Sequence, residues 1–516
     1  MRADNPVRPA TGWPLLPDLL LAAVAGLMQA LASAPGVVGM TTLWPLTLLS
    51  AGWLAARTAR APSAWRAAGL GWVFGTAWLV AGTGWLFISM HRYGGMPAWL
   101  SAAAVLALSG ALSLYLALAM GLFRRLAGGG AAGQALLFAA LWTAAEWARG
   151  VIFTGFPWAA SGYAQVDGPL ARLAPLVGVY GIGALAAGLA AWVALARTVR
   201  KALPALAAAG LALAALWGWG GMGFTRPVGE LRVTLLQGNV PQDQKFDPDH
   251  MLAALEWHTR QLADAGPGLV VAPETAIPLL PHQMPEGYWD ELRRLFNRPG
   301  HAALVGVPLG DDVQGYTNSV AGLSEQAVTA PAGYYRYDKH HLVPFGEFIP
   351  WGFRWFVDLM HMPLGDFSRG PLAPPPFAVG AQRIGPNICY EDLFGEELAA
   401  RLVQRASAPT IFANVSNIAW FGRSHAIEQH LLISRMRTLE LQRPMIRATN
   451  TGATAVIDHT GRVTHALAPH QRGVLVGQVQ GRTGLTPYAW WAGHAGLWPL
   501  IGAAAAVIAW GAWRRR

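Results

Sequence analysis

The sequence predicts a membrane bundle of eight α-helices joined to a folded α/β domain. Of its 516 residues, 53% are hydrophobic and only 13% are charged, about half the charged share of an ordinary soluble protein. Long uncharged segments fill the first 225 residues, and a charged region with short strand-like runs follows them. These two observations together indicate a membrane protein that carries one substantial folded domain.

Eight segments have the length and polarity of a membrane crossing, which needs about 20 apolar residues as a helix. They are 15–34, 36–56, 67–90, 96–123, 126–145, 173–196, 202–225 and 495–513. An alternative interpretation makes residues 1–34 a cleaved signal peptide, because Ala32-Ser33-Ala34 resembles a cleavage site. Losing that crossing would put the arginine-rich loops in conflict with the side on which the folded domain lies.

The basic charge is concentrated in the apolar part of the chain. Residues 230–482 hold 21 Lys and Arg against 24 Asp and Glu, a net charge of −3, whereas the rest holds 17 against 4, a net charge of +13. A nucleic-acid-binding domain would carry the basic excess itself, so this class is excluded. The positive-inside rule places both termini in the cytoplasm and the charged domain on the outer face. The predicted division is 1–229, 230–482 and 483–516.

The charged region alternates strand-like and helix-like segments, which is typical of a layered α/β domain. Predicted strands cover 231–237, 268–272, 302–307, 383–388, 409–414 and 444–449. Predicted helices cover 249–265, 288–297, 391–406 and 424–441, and the proline-rich segment 371–376 is predicted to be a loop.

Three reactive side chains stand at or just past the ends of strand-like runs. Glu274 lies in VVAPETAIP, Lys339 in YYRYDKHHLVPFGEFIP and Cys389 in RIGPNICYED. Polar groups at strand ends can converge at one edge of a sheet. A carboxylate, an ammonium and a thiol suit acyl transfer: the carboxylate takes the thiol proton, the thiolate attacks a carbonyl and the cation stabilises the oxyanion.

Each of these residues also has a plain structural interpretation. A lone cysteine is usually a small buried hydrophobe, and a glutamate after a strand is ordinarily a surface or capping residue. Cys389 is, however, the only cysteine, and Lys339 is one of three lysines beside 35 arginines, which favours a site that needs a compact charge. A zinc site is not predicted, because His425 and His430 lack the HExxH spacing.

Two features of the membrane part have competing interpretations. Glu146 is either a functional intramembrane acid or one half of a structural pair with Arg149. Gly178, Gly181 and Gly183 fall in a predicted membrane helix, where close helix packing explains them better than nucleotide binding.

Four segments resemble nitrilase-superfamily motifs as they occur in the apolipoprotein N-acyltransferase family: PETAIP, YDKHHLVPFGEFIP, NICYED and NVSNIAWFG. QGNVPQDQKFDP and EWARGVIFTGFPW also look like segments of that family. The resemblance covers essentially the whole chain. It implies a nitrilase-like αββα sandwich beside eight membrane helices, in the bacterial inner membrane, with the catalytic domain facing the periplasm.

The resemblance also implies roles for individual residues. Glu274 matches the general base, Lys339 the oxyanion-stabilising lysine and Cys389 the acylated nucleophile. Supporting or substrate-binding roles are implied for Glu347, Tyr390, Glu391, Phe246, Asn318 and Trp420. The chain departs from the family where Phe246 stands in place of a frequent Trp, and where Ile418 stands in place of a frequent Asp, so a polar role at position 418 is in doubt.

The implied activity is transfer of a fatty acyl chain from a phospholipid such as phosphatidylethanolamine to an apolipoprotein. The acceptor is the α-amino group of the diacylglyceryl-modified N-terminal cysteine, and the implied intermediate is a Cys389 thioester, with no cofactor or metal. Water exclusion by an apolar cleft would protect such a thioester. Two alternatives stay open: a membrane-anchored nitrilase-type amidase that acts on a small amide, and an inactive nitrilase-like membrane scaffold.

Overall fold

A computed structural model of the chain describes residues 16–34, 41–196, 223–311, 315–355, 366–404 and 406–515, with the isolated positions 203, 207, 210 and 214. The seventh predicted crossing, 202–225, therefore lies almost wholly outside the described residues, as do residues 36–40 of the second.

Apolar helices make up the first part of the described chain. They are α1 (Leu16–Leu31), α2 (Pro45–Ala59), α3 (Ala64–Thr83), α4 (Leu86–Ile88), α5 (Ala98–Leu112), α6 (Leu114–Leu126), α7 (Ala131–Val151) and α8 (Ala174–Leu195). A proline in the first turn suits the start of α2, and the Ser63 side chain caps α3 by accepting the Arg66 N–H. Small and aromatic side chains around Phe74 and Trp142 form the core of this bundle.

Three spans are long and apolar enough to cross a membrane as continuous helices: Ala98–Leu126, Ala131–Thr154 and Pro169–Leu195. Two bent pairs meet the same criteria if each counts as one crossing: Ala64–Thr83 with Leu86–Tyr93, bent by 61°, and Pro487–Ala495 with Trp498–Trp513, bent by 86°. The described residues thus support three to five crossings, fewer than the eight predicted. Helices α1 and α2 have 16 and 15 residues, short of the roughly 20 that a crossing requires.

One face of helix α1 packs on α3, while Leu20, Val24 and Leu27 on the other face are exposed. Ala22 and Ala25 are buried, and a Cβ added at Gly26 would approach the Phe74 carbonyl oxygen to 2.2 Å. Asp18 forms an ion pair with Arg57 of α2.

Two six-stranded sheets form the charged part of the chain. The strands are β1 (Thr225–Gln237), β2 (Gly268–Val271), β3 (His301–Asp311), β4 (Gly315–Ser324), β5 (Tyr335–Asp338), β6 (Phe377–Val379), β7 (Gln382–Ile388), β8 (Ile411–Ser416), β9 (Met445–Thr449), β10 (Ala455–Ile457), β11 (Val463–Ala466) and β12 (Gly473–Gly484). Their order is β12-β1-β2-β3-β4-β5 in one sheet and β11-β10-β9-β8-β7-β6 in the other.

The two sheets pack face to face, and helices cover their outer faces. Val233, Leu304, Ile388 and Val415 belong to the cluster between the sheets. Helices α9 (Pro248–Asp264) and α10 (Tyr288–Phe296) lie on the first sheet, while α11 (Gly395–Ala400) and α12 (Ala426–Leu441) lie on the second. The layers therefore follow the predicted α/β sandwich. Helices α13 (Pro487–Ala495) and α14 (Trp498–Trp513) close the chain.

One predicted helix is wrong in its extent. The segment 391–406 forms a 3₁₀ turn, Cys389–Leu393, followed by the short α11. Cys389 has a φ of 50° and Phe394 lies outside the helical region at φ −100° and ψ 81°, so a continuous helix cannot form there.

Helix α12 also packs against the membrane part. Ile427, Leu431 and Met436 of α12 share one buried cluster with Trp158 and Tyr163 of the segment between α7 and α8. The second sheet is therefore attached to the membrane helices through its outer helix.

Candidate active site

Four of the predicted site residues lie in one buried polar cluster. Lys339 Nζ is 2.9 Å from Glu347 Oε1 and 3.6 Å from Glu274 Oε1. Asn318 Nδ2 donates to the same two oxygens, at 2.7 Å to Glu274 and 2.6 Å to Glu347. The lysine side chain is 1% exposed. One ammonium and one amide thus hold two carboxylates together in an interior where like charges would otherwise repel.

Sheet geometry brings these residues together. Glu274 follows β2, Asn318 lies in β4 and Lys339 follows β5, all in the first sheet. Cys389 follows β7 of the second sheet, and Glu391 joins this strand end to the loop of Lys339 by accepting the N–H groups of Ile388 and His340. The predicted convergence at strand ends therefore joins the ends of both sheets.

Burial raises the pKa of the Cys389 thiol well above its ordinary range, and the Glu274 carboxylate raises it further, against the Lys339 ammonium. Burial by itself lowers the pKa of Lys339, but the carboxylates of Glu347 and Glu274 outweigh it and raise this pKa. The resting site therefore holds a protonated thiol beside a permanent cation. Such a thiol needs a neighbouring base before it can attack.

The Glu274 carboxylate and its backbone are both fixed by residues that the sequence analysis did not single out. Its Oε2 accepts the backbone N–H of Asn417 at 2.8 Å, and Lys245 Nζ donates to its carbonyl oxygen at 2.9 Å. Asn417 Nδ2 in turn donates to Gln242 Oε1 at 2.8 Å. A signal was available for both positions, because Asn417 lies in the NVSNIAWFG segment and Lys245 is one of three lysines.

Glu391 supports the backbone around the thiol. Its Oε1 accepts the N–H groups of His340 and His341 at 2.7 and 3.2 Å. Its Oε2 accepts the Ile388 N–H at 2.6 Å and the Tyr337 hydroxyl at 2.7 Å. The carboxylate therefore ties the loop that bears Lys339 to the strand end that bears the thiol.

The other predicted residues have partners outside this cluster or are exposed. The buried Tyr390 donates its hydroxyl to the Gly155 carbonyl at 3.1 Å, which links it to the membrane part. Trp420 is partly exposed and meets Tyr93 edge to face at 6.0 Å. Phe246 is 52% exposed.

Ile418 is fully buried in an apolar cluster, so position 418 contributes packing and no polar group. The rings of His340 and His341 turn to other partners: Nδ1 of His340 lies 2.8 Å from the Gly370 carbonyl, and Nδ1 of His341 lies 2.8 Å from Glu397 Oε1. Within the described part of the chain, no group of three or more His, Cys, Asp or Glu could hold a metal ion.

Glu146 forms a structural pair with Arg149. Its oxygens accept the Ser161 N–H at 2.7 Å and the Ser161 hydroxyl at 2.9 Å, and Arg149 Nη2 lies 3.5 Å away. Because its oxygens are engaged by these donors, the geometry supports the structural interpretation over a free intramembrane acid.

The chain is similar to known proteins over nearly its whole length. Residues 25–192 match the apolipoprotein N-acyltransferase N-terminal domain, and residues 232–488 match carbon-nitrogen hydrolase. An apolipoprotein N-acyltransferase of Verminephrobacter eiseniae is 53% identical, covering 95% of this chain and 94% of that protein. The chain belongs to the apolipoprotein N-acyltransferase family. A relative with the same description from Ralstonia nicotianae is 48% identical over 96% of this chain and 93% of its own length.

Family membership identifies the chain as a membrane-associated acyltransferase with a nitrilase-like domain of two sheets. Among solved structures, the C. elegans NitFhit protein is similar over 53% of this chain and 65% of the NitFhit chain, at 16% sequence identity and a TM-score of 0.36.

Proposed function

We propose that the chain N-acylates lipoproteins in two steps, with Cys389 carrying the acyl chain between them. The observation that best supports this proposal is the buried cluster in which Lys339 lies 3.6 Å from Glu274 and 2.9 Å from Glu347, with charges that act on the only thiol of the chain. The cluster supplies a base and a cation, and Cys389 at the end of β7 supplies the nucleophile.

In the first step, Glu274 takes the proton of Cys389 and the thiolate attacks an ester carbonyl of a phospholipid. The Lys339 ammonium stabilises the oxyanion as it forms. When the oxyanion collapses, the carbon–oxygen bond of the ester breaks and Glu274 returns the proton to the leaving lysophospholipid. The product is a thioester on Cys389.

In the second step, the α-amino group of a diacylglyceryl-modified N-terminal cysteine attacks the thioester. Glu274 takes a proton from the amine, the carbon–sulfur bond breaks and the thiolate recovers its proton. A thioester remains activated toward an amine, and its release as an amide makes the transfer favourable. Neither step requires a cofactor.

The donor we propose is a phospholipid of the phosphatidylethanolamine type, and the acceptor is an apolipoprotein. Contact between α12 and the membrane part supports this choice, because a lipid donor has to reach the thiol from the bilayer. We propose that residues 1–229 and 483–516 span the inner membrane with eight helices and that residues 230–482 lie in the periplasm. The arginine distribution supports cytoplasmic termini.

Incubation with phospholipid alone tests the covalent step. Purified full-length protein mixed with phosphatidylethanolamine vesicles should gain one acyl mass on the Cys389 peptide, and the mass should be lost in hydroxylamine. Because the sequence has no other cysteine, Cys389→Ala leaves no thiol that could carry a thioester. An active preparation without acyl-Cys389 would contradict the proposal.

The same preparation separates the remaining alternatives. A small-amide amidase would turn over soluble amides without lipid and gain no acyl mass. An inactive scaffold would support lipoprotein maturation in cells equally well with Cys389 or with Ala at this position. We expect neither result.

A further inference from the structure

His430 connects the backbone of the nucleophile to a buried charged network. Its Nε2 lies 3.2 Å from the Cys389 carbonyl oxygen and 2.9 Å from Asp392 Oδ1. Its Nδ1 lies 2.9 Å from Arg447 Nη2. Arg447 Nη1 in turn lies 3.1 Å from Asp392 Oδ2. The side chains of His430, Asp392 and Arg447 are fully buried.

These partners determine the protonation of His430. A guanidinium only donates, so Nδ1 must accept, whereas a carboxylate and a carbonyl only accept, so Nε2 must carry the proton. The ring is therefore the neutral Nε2–H tautomer, and the opposite charges of Asp392 and Arg447 balance beside it. In agreement, burial lowers the pKa of His430, against the attraction of Asp392.

The group that His430 holds is held in an uncommon conformation. Cys389 has a φ of 50°, and its carbonyl oxygen also accepts Asn414 Nδ2 at 3.2 Å. A non-glycine residue in the left-handed region persists when its surroundings over-determine it. Asn414 and the Nε2–H of His430, which is shared with Asp392, both donate to this carbonyl. They fix the peptide plane that follows the residue bearing the thiol.

The same turn of α12 is attached to the membrane part. The His430 ring stacks on Trp158, with centroids 5.6 Å apart and planes at 25°. The preceding residue, Gln429, accepts the indole N–H groups of Trp85 and Trp158 at 3.1 and 2.8 Å and donates to the Gly82 carbonyl at 3.0 Å. The position of the ring thus depends on both the second sheet and the membrane part.

We propose that His430 is a positioning residue whose Nε2–H holds the Cys389 backbone in the attacking conformation. Because the ring stacks on Trp158, this conformation also depends on the position of the membrane part. This inference rests on the proposed role of Cys389 as nucleophile. It goes further by making the membrane part a contributor to the geometry of the thiol in addition to a route for lipid.

Two substitutions at position 430 separate the two ring nitrogens. His430→Gln places an amide donor near the position of Nε2, whereas His430→Asn reaches only as far as Nδ1 and leaves the Cys389 carbonyl with one donor. The rate of alkylation by iodoacetamide, followed by intact-protein mass in full-length protein, reports on this sole thiol. We expect His430→Asn to react at least fivefold slower than wild type and His430→Gln within twofold of it.

Matched measurements distinguish positioning from general destabilisation. His465→Asn, at an exposed site on β11, should leave the rate unchanged, and Trp158→Leu should slow it at least threefold. Equal alkylation rates for wild type and folded His430→Asn would overturn the inference. It would also be overturned if the Asn and Gln variants reacted more slowly to the same extent and their rates followed their loss of unfolding temperature. Alkylation needs no lipid, so this result stands apart from acyl-Cys389 formation, whose failure in wild type would count against the proposed function alone.

Discussion

At the scale of single residues, the site depends on carboxylates with different tasks. Glu274 and Glu347 share the Lys339 ammonium and the Asn318 amide, so in the proposed reaction both lie beside the cation that stabilises the oxyanion. The Glu391 oxygens instead accept hydrogen bonds from three backbone N–H groups and one hydroxyl. These partners indicate that Glu391 holds the loop of Lys339 against the end of β7.

Replacing Glu391 by Gln should damage both stability and acylation. The amide can accept through one oxygen only, and its NH₂ group would face donors, so buried N–H groups lose partners at about 1–3 kcal/mol each. We expect a lower unfolding temperature and acyl-Cys389 formation slowed at least tenfold. Glu397→Gln is the control, since Glu397 is partly exposed and bonds His341. Identical behaviour of the two variants would contradict this role.

Lys245 gives the site a pH-dependent contribution to stability. Burial lowers its pKa from 10.5 to about 8, against the Glu274 carboxylate. Between these values the unfolded chain binds the proton that the folded chain has released, so the free energy of unfolding rises with pH, by about 3 kcal/mol over the full window.

Lys245→Met removes this titration. The unfolding temperature of wild type relative to the variant should therefore increase between pH 7.5 and pH 10. Arg260→Met, at an exposed position on α9, should show the same difference from wild type at both pH values. A wild-type advantage that stays constant with pH would show that Lys245 keeps its proton.

At the scale of elements, α8 carries a break that the fold uses. Gly178 has a φ of 66° inside this helix, and the N–H of the next residue, Val179, donates to Glu440 Oε1 of α12 at 2.6 Å. Breaking the helix frees a backbone donor, and a buried carboxylate of the catalytic domain receives it. The glycine that the sequence suggested for close packing thus also docks the domain.

Gly178→Ala should lower the unfolding temperature by several degrees. Gly178 has a φ of 66° and a ψ of −179°, a region that is essentially restricted to glycine and costs another residue about 1–3 kcal/mol. The added Cβ would also lie 2.3 Å from the Tyr488 ring. Gly502→Ala in α14 is the control, because a Cβ added there would meet no atom within 4 Å and alanine favours the helix. Equal unfolding temperatures for the two variants would mean that the break is dispensable.

The sequence predicted the elements whose pattern is local. All six predicted strands are present, because β1, β2, β3, β7, β8 and β9 are runs of apolar residues. Strands β4, β5, β6, β10, β11 and β12 were not predicted. The two longest of them, GYTNSVAGLS and GVLVGQVQGRTG, mix glycine with polar residues and owe their conformation to pairing with β3 and β1. Apolar length likewise did not reveal the bend after Thr83, and the predicted eight crossings stay a prediction beside the three to five that the described helices support.

Site residues followed the same rule. Glu274, Lys339 and Cys389 were found because their residue types carry chemistry and stand at strand ends, and the structure brings Glu274 and Lys339 into contact. Asn417 acts through its backbone N–H, and His430 through the tautomer that its partners impose. The motif segment marks the position of Asn417 but not the role of its backbone N–H, and the tautomer of His430 depends on partners that are distant in the sequence.

At the scale of the whole molecule, the catalytic domain and the membrane part share polar contacts as well as packing. Arg435 of α12 lies 2.5 Å from Asp167 of the segment before α8, and Trp491 of α13 donates to the Leu176 carbonyl at 2.9 Å. The domain is thus held on the membrane part from α12 and from the returning chain. A thiol at such a junction is suited to a donor that stays in the bilayer and an acceptor that arrives at its surface.

The side of the membrane on which the catalytic domain lies can be measured directly by cysteine labelling. Cys389→Ala gives a background without cysteine, into which single cysteines can be placed at exposed positions. His465→Cys on β11 samples the catalytic domain, and Gly130→Cys samples the loop between α6 and α7, where an added Cβ meets no atom within 4 Å. The arginines at the end of α6 predict a cytoplasmic loop. In intact spheroplasts an impermeant maleimide should label the first cysteine and spare the second until the membrane is permeabilised. The reverse pattern would place the catalytic domain in the cytoplasm, where the proposed acceptor is not presented.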